Sequence, residues 1–233
     1  MKLAILSDIH SNLTALKAAL EAVEARTVDA VYCLGDIVGY GAEPGACVDL
    51  IRETCAACVL GNHDLAVARD EGTAYLPKDG QVAARHNREQ LTEAQRAFLD
   101  GLPLRLEAHG CTFVHASPDA PERWHRIGSF RAATAQFSYF DTPVCFVGHT
   151  HMPAVMSDRL GVFSVRPGRR YLINIGSVGQ PRDSDIRVCV AFFDTETFHY
   201  ELVRVPYDVE RAAASILAAG LPRALANRLF RGQ

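Results

Sequence analysis

At 233 residues, with 48% hydrophobic and 22% charged residues, the chain is long enough to bury one sizeable core and has the composition of an ordinary soluble globule. Its formal net charge of −3 gives no electrostatic reason to bind nucleic acid, which is set aside as a partner. No apolar stretch reaches membrane-spanning length, and the N-terminus enters a strand with no signal-peptide layout, so the expected location is cytoplasmic.

The first 64 residues alternate strand and helix. Strand Lys2–Ser7 leads to a helix whose Leu13, Leu16, Leu20 and Val23 recur at helical spacing, with Ser11 or Asn12 as its cap. Strand Ala30–Leu34 follows, then a helix from Pro44 to Glu53 that opens on proline, then strand Ala57–Leu60. Such a βαβαβ unit predicts parallel strands with right-handed crossovers. Residues 65–103 form a helical excursion, with helices over Gln81–Gln90 and Thr92–Leu102 and a Thr92–Gln95 capping box. It is expected to roof or flank the site. His86 within it reads as an ordinary helix histidine.

The second half is strand-rich. Leu104–Glu107 and Cys111–Val114 flank His109-Gly110 as a hairpin, and Val144–Val147 leads to His149. Strands near Val155, at Tyr171–Ile175, Val188–Phe193 and His199–Val205 follow, then helices Val209–Ala219 and Pro222–Phe230, broken at Gly220-Leu221-Pro222. With no repeats or linkers, one domain over 1–233 is expected. Among the 7 cysteines, Cys33, Cys111, Cys145 and Cys189 lie in apolar runs and read as buried hydrophobes. Cys55 and Cys58 form a lone CxxC with no second pair, and read the same way. Arg166, Arg169 and Arg170 around Pro167-Gly168 read as a solvated turn.

Against this background, ligand-type residues recur where strands end. Asp8-Ile9-His10, Gly35-Asp36, Gly61-Asn62-His63-Asp64, His115 and Gly148-His149-Thr150-His151 each close an apolar run. The carboxyl ends of strands in an open α/β sheet face one crevice. Asp8 and His10, like His149 and His151, stand two apart, so in extended backbone both side chains of a pair face the same way. Mixed His, Asp and Asn donors suit manganese, iron, cobalt, nickel or zinc better than calcium, and a carboxylate can bridge two such ions.

These motifs resemble the calcineurin-like metallophosphoesterase superfamily, and most closely its small bacterial and archaeal phosphodiesterase-like members. The runs Gly35-Asp36-Ile37-Val38-Gly39-Tyr40-Gly41 and Asn174-Ile175-Gly176-Ser177-Val178-Gly179-Gln180-Pro181-Arg182 belong to the same likeness, which covers nearly the whole chain. It implies a four-layered α/β/β/α sandwich with two facing mixed sheets flanked by helices. It also implies two divalent metal ions, manganese foremost. One would be held by Asp8, His10, Asp36 and His151, the other by Asp36, Asn62, His115 and His149, with Asp36 bridging. His63 would lie over the substrate rather than bind metal, and Asp64 would either orient His63 or cap the helix it begins.

The activity so implied is hydrolysis of small phosphate esters, chiefly nucleotide-type phosphodiesters. Two cations lower the pKa of a bridging water, the hydroxide attacks phosphorus, and His63 stabilises the phosphoryl oxygens or protonates the leaving oxygen. Phosphoprotein phosphatases of this superfamily carry an arginine soon after the first Gly-Asp, where this chain has Gly39-Tyr40-Gly41. That departure favours diesters, with Arg182 as a candidate phosphate contact. Phosphomonoester or dinucleoside polyphosphate hydrolysis is the alternative within the class. An interaction scaffold of the same fold is the alternative outside it, though such scaffolds typically lose His10 or His63, and both are present here.

Overall fold

In the computed structural model, which describes residues 1–159 and 164–233, the chain opens with β1 (Lys2–Leu6), α1 (Leu13–Glu24), β2 (Ala30–Cys33), α2 (Pro44–Thr54) and β3 (Ala57–Cys58). Three helices follow, α3 (Asn62–Arg69), α4 (Lys78–Gln90) and α5 (Glu93–Asp100). Next come β4 (Arg105–Ala108), β5 (Cys111–Val114), α6 (Phe130–Gln136), β6 (Val144–Val147), β7 (Ala154–Ser157) and β8 (Tyr171–Asn174). The chain closes with β9 (Val188–Asp194), β10 (Tyr200–Val205), α7 (Val209–Ala218) and α8 (Arg223–Leu229).

The strands make two five-stranded sheets, ordered β10-β9-β1-β2-β3 and β4-β5-β6-β8-β7. The β1–β2 and β2–β3 pairs are parallel, as the βαβαβ reading requires. In the second sheet β5, β6 and β8 run parallel, and antiparallel β4 and β7 form its edges. The β4–β5 hairpin turns on His109 and Gly110, both at positive φ (52° and 73°), the backbone a two-residue primed turn demands.

Alternation along the strands decides the layers. Leu3, Ile5 and Tyr32 of the first sheet pack against Phe113, Phe146, Tyr171 and Ile173 of the second, so the sheets lie face to face. The intervening residues Ala4, Leu6, Val31 and Cys33 face outward onto Leu16, Leu20, Val48 and Ile51 of α1 and α2. On the opposite side, Val114, Cys145, Val147 and Leu172 pack against Ala133 and Phe137 at α6. The result is the four-layered sandwich. Fully burying one such aromatic or aliphatic side chain is worth about 1.5–3 kcal/mol, so the sheet ends that carry the loops below are firmly anchored.

Local signals explain most element ends. Asn12, not Ser11, caps α1, its side chain accepting from Ala15 N, while Pro44 opens α2. Thr92 and Gln95 form the expected capping box on α5. Two expectations need correction. Strand β3 spans only Ala57–Cys58, because beyond it Leu60 N turns to Pro103 O. Arg170 is not a solvated turn residue: half-buried, it donates to Phe137 O and Phe140 O and so ties the end of α6 to the sheet. No helix among the described residues is long and apolar enough to cross a membrane. Cys58 is buried and Cys55 half-buried, and both are free thiols.

Candidate metal centre

The loops after β1, β2, β5 and β6, together with the start of α3, converge on one crevice. The structure brings together all seven ligand candidates named from sequence, with His63 beside them. Asp8, His10 and His151 form one cluster of potential metal ligands, and Asp36, His115 and His149 a second. A third, His10, Asp36 and His63, places His63 closer to the ligands than expected.

The histidines are fixed by what their outer nitrogens do. Nδ1 of His10, His115 and His151 bonds the backbone carbonyls of Val38 (3.1 Å), Leu34 (2.8 Å) and Gln180 (2.6 Å). A carbonyl only accepts, so each Nδ1 carries a proton, and a ring that carries no second one turns an Nε2 lone pair inward. Nε2 of His10 and Nε2 of His151 then face one another at 3.1 Å. Two lone pairs at that distance repel unless an electrophile lies between them. The donor set therefore fits a cation.

The carboxylates are arranged to the same end. Asp8 Oδ2 accepts from Ser7 Oγ (2.6 Å) and His149 N (3.0 Å). Its Oδ1 is buried with no hydrogen-bond partner, 3.2 Å from His151 Nε2 and 3.7 Å from His10 Nε2. Asp36 divides its oxygens likewise: Oδ1 accepts from His63 N at the start of α3 (2.8 Å). Its Oδ2 stands 3.7 Å from His10 Nε2 and 3.3 Å from His115 Nε2, between the two clusters. The side-chain oxygen of Asn62 is also buried and unpartnered. A buried oxygen left without a donor is costly, and a cation would satisfy both Asp8 Oδ1 and Asn62 Oδ1.

The extended backbone expected at Asp8-x-His10 and His149-x-His151 is not what the chain adopts. Asp8 (φ 54°), His10 (50°), Asp36 (51°), His149 (63°) and His151 (60°) are all in the left-handed region. Each such residue costs on the order of 1 kcal/mol or more and persists only where its surroundings impose it. Here the run from Asn174 to Arg182 imposes it. Ser177 Oγ donates to Asp8 O, Val178 N to Ser7 O, Asn174 Nδ2 to Gly148 O, and Gln180 O receives His151.

Charge in this pocket follows from burial and pairing. Burial would raise the Asp8 and Asp36 carboxyls, but the adjoining histidines prevail and hold both well below the usual carboxylate range. Burial would lower His115, yet the Asp36 carboxylate outweighs it and lifts the imidazole to about 9. Burial takes His149 down to about 3 and His63 down to about 4, the latter only partly opposed by Asp36. His63 is therefore neutral near pH 7, lower than the near-neutral imidazole that proton donation would favour.

Asp64 takes the capping alternative. Its oxygens accept from Val38 N and Gly61 N, both 3.1 Å, while Nδ1 of His63 has no partner, so Asp64 does not orient that ring. Burial and the Asp36 charge raise Asp64 to about 7 against those two hydrogen bonds.

A cavity of about 710 Å³ opens over the centre and is lined by Asp36, Asn62, His63, His149, His151 and Arg182, among others. Part of its wall comes from the helical excursion, through Leu65, Tyr75, Leu76 and Pro77. The rest was not foreseen: Arg123, Trp124 and Arg126 come from the segment between β5 and α6. Trp124 is the chain's single tryptophan, flanked by basic residues, and that was a usable signal. Asn87 of α4 also went unnoticed. Fully buried, it accepts from Ser11 Oγ (2.8 Å) and Gly39 N (2.6 Å) and donates to Gly41 O (2.9 Å), locking the loop after Asp36.

Two facing sheets with paired His/Asp clusters at one end form an α/β sandwich with a candidate metal centre. The chain belongs to the calcineurin-like phosphoesterase superfamily, whose domain it matches over residues 1–197. It is 40% identical to an uncharacterized protein of Methanocaldococcus jannaschii, over 99% of this chain and 98% of that one. It superposes on a metallophosphoesterase from Sphaerobacter thermophilus with a TM-score of 0.88, at 37% identity over 100% and 99% of the two chains. A hypothetical protein from Pyrococcus horikoshii shares the fold, with a TM-score of 0.83 at 22% identity over 100% of this chain and 98% of that one.

Proposed function

We propose that this protein is a dinuclear metal-dependent phosphodiesterase acting on small nucleotide-type esters. The observation that carries the reading is Asp36, whose Oδ2 stands between His10 on one side and His115 on the other. Asp8, His10, Asp36 and His151 would hold one divalent ion, and Asp36, Asn62, His115 and His149 the other, manganese being the first candidate. When bound, two cations supply charge that lowers the pKa of water and draws in phosphate oxygens.

The remaining work falls to the chain's own groups. His63, neutral at pH 7 and lining the cavity, offers an N–H to a phosphoryl oxygen, where negative charge grows during attack. That role suits a low pKa better than proton donation does. Asp64 holds α3, and with it Asn62 and His63, against the loop after β2 through its bonds to Gly61 N and Val38 N. Arg182 adds a fixed positive charge at the cavity wall, its guanidinium held by Gln180 Oε1 (2.8 Å).

The test compares kcat/KM for bis-nitrophenyl phosphate with that for nitrophenyl phosphate in the manganese-loaded protein. A diester carries one charge and a monoester dianion two, so the diester needs no added cation beside the Gly-Asp motif. A monoester preference of about tenfold or more, equivalent to some 1.4 kcal/mol of transition-state binding, would overturn the diesterase assignment. Arg182→Ala decides whether that arginine substitutes for the absent one. In that case its loss lowers monoester turnover more than diester turnover.

A further inference from the structure

We propose that the site accepts a second phosphoryl group of its substrate in an arginine-lined groove at α8, beyond the phosphate held at the metal centre. This rests on the phosphoesterase reading and narrows it to small phosphate esters that carry another phosphate.

The groove, of about 500 Å³, adjoins the main cavity and shares Tyr40, Pro77 and Arg182 with it, while Asn227, Arg228 and Arg231 come from α8 and the turn after it. No Asp or Glu side chain is among its lining residues. Several arginines elsewhere are matched, Arg26 with Glu201, Arg69 with Asp100, Arg105 with Glu107, Arg187 with Asp185 and Arg204 with Asp183, while others stand singly without an ion pair. Among the described residues, Arg182, Arg228 and Arg231 have no carboxylate partner. Three unmatched guanidinium groups around one concavity, in a chain of net charge −3, is the arrangement phosphate recognition uses.

Continuity with the metal centre is built in. Arg182 lies over the Tyr40 ring at 5.5 Å, and that ring packs against His63 (4.4 Å) and His10 (4.7 Å). Tyr40 is buried, at positive φ (53°), in the loop that Asn87 locks. It therefore forms a rigid sill between the two spaces, and Arg182 reaches both. A ligand with one phosphate at the metals and another across Tyr40 would neutralise the arginines that a simple ester leaves unpaired.

Calorimetric titration of the manganese-loaded protein with adenosine 3′,5′-bisphosphate, adenosine 5′-monophosphate and adenosine 3′-monophosphate tests this. The bisphosphate is expected to bind at least about tenfold more tightly than either monophosphate, a modest yield for charge-assisted hydrogen bonds from arginine. The pair R228Q/R231Q should erase that gain while the monophosphates still bind, which also reports that the variant is folded. Charge reversal, R228E/R231E, should make the bisphosphate the weaker ligand. Equal affinities in the unaltered protein, or a gain that survives R228Q/R231Q, would overturn the proposal. Binding needs no turnover, so an inert protein with an arginine-dependent gain would refute the hydrolase reading and leave the groove standing.

Discussion

Replacing Asp36 by Asn tests the centre at the one atom both clusters share. The substitution keeps size and shape, and Asn Oδ1 can still accept from His63 N, so α3 should remain capped. What changes is Oδ2, which stands 3.3 Å from His115 Nε2 and 3.7 Å from His10 Nε2. An amide nitrogen there presents hydrogens, not a lone pair, to both half-sites. At an effective dielectric of about 20, a carboxylate and an imidazolium 3.3 Å apart attract by roughly 5 kcal/mol before desolvation is subtracted. That attraction is what lifts His115 against burial, so in the variant the imidazole should fall from about 9 to below its usual 6.5. Altering even a group behind a ligand costs about 10–100-fold in metal affinity, and a shared ligand should cost each half-site at least that. Elemental analysis after gel filtration should show both metals depleted together, and NMR titration of the metal-free form should show the shifted His115. One metal lost and the other kept at full occupancy would refute the bridging role.

His63→Ala should leave metal content unchanged and lower turnover by about 10²–10³, the usual cost of removing one donor to a developing oxyanion. The loss should be similar for good and poor leaving groups, whereas a loss confined to poor ones would restore His63 as the proton donor. Metal binding to the apoprotein between pH 7 and 8 should release a proton, because His115 holds one up to about 9 and an imidazolium has no lone pair to offer. Calorimetry in two buffers of different ionisation heat counts it, and no buffer dependence would contradict the assignment. The same raised pKa stabilises the metal-free fold below pH 6.5, and that contribution should disappear as pH climbs through about 9. Asn87→Ala strips partners from Ser11, Gly39 and Gly41 at once and should cost about 3 kcal/mol in urea unfolding, with turnover falling too. A cost under about 1 kcal/mol would mean the loop holds itself.

The candidate ligands were legible because each is a polar residue breaking out of an apolar strand, as with His115 after Thr112-Phe113-Val114 or Asp36 after Leu34-Gly35. Burial on both faces makes such runs conspicuous, and the loops that end them must meet at one end of the sheets. Less legible was anything set by contacts distant in sequence. Asn87 lies in a polar stretch of α4 and looks like surface, yet it is fully buried, because three groups from the loops after β1 and β2 meet its amide. Arg170 looked solvated for the same kind of reason, since its partners Phe137 O and Phe140 O come from the end of α6 and the turn after it, thirty or more residues earlier. The segment between β5 and β6 offers little periodicity, so α6 and the Trp124 wall escaped notice.

The period-two spacing of Asp8/His10 and His149/His151 pointed to residues that do converge, but through the wrong geometry. Alternation on an extended strand sends both members of a pair the same way, but would leave the ring nitrogens free to swing. Left-handed backbone at each of these four residues instead folds the chain back on itself, and that lets carbonyls of other loops, Val38 O and Gln180 O, fix two of the imidazoles. Strain of this kind cannot be local in origin, since Asp and His gain little from positive φ alone. It is supported by Ser177, Asn174 and Gln180 from one side and by Asn87 from the other, residues with no ligand role of their own. Positioning the lone pairs of His10 and His151 at 3.1 Å in a fold without a cation is unfavourable, and the cross-loop bonds are what hold them there. A metal held between them would relieve that repulsion, so the cost of organising such a site falls on folding rather than on catalysis.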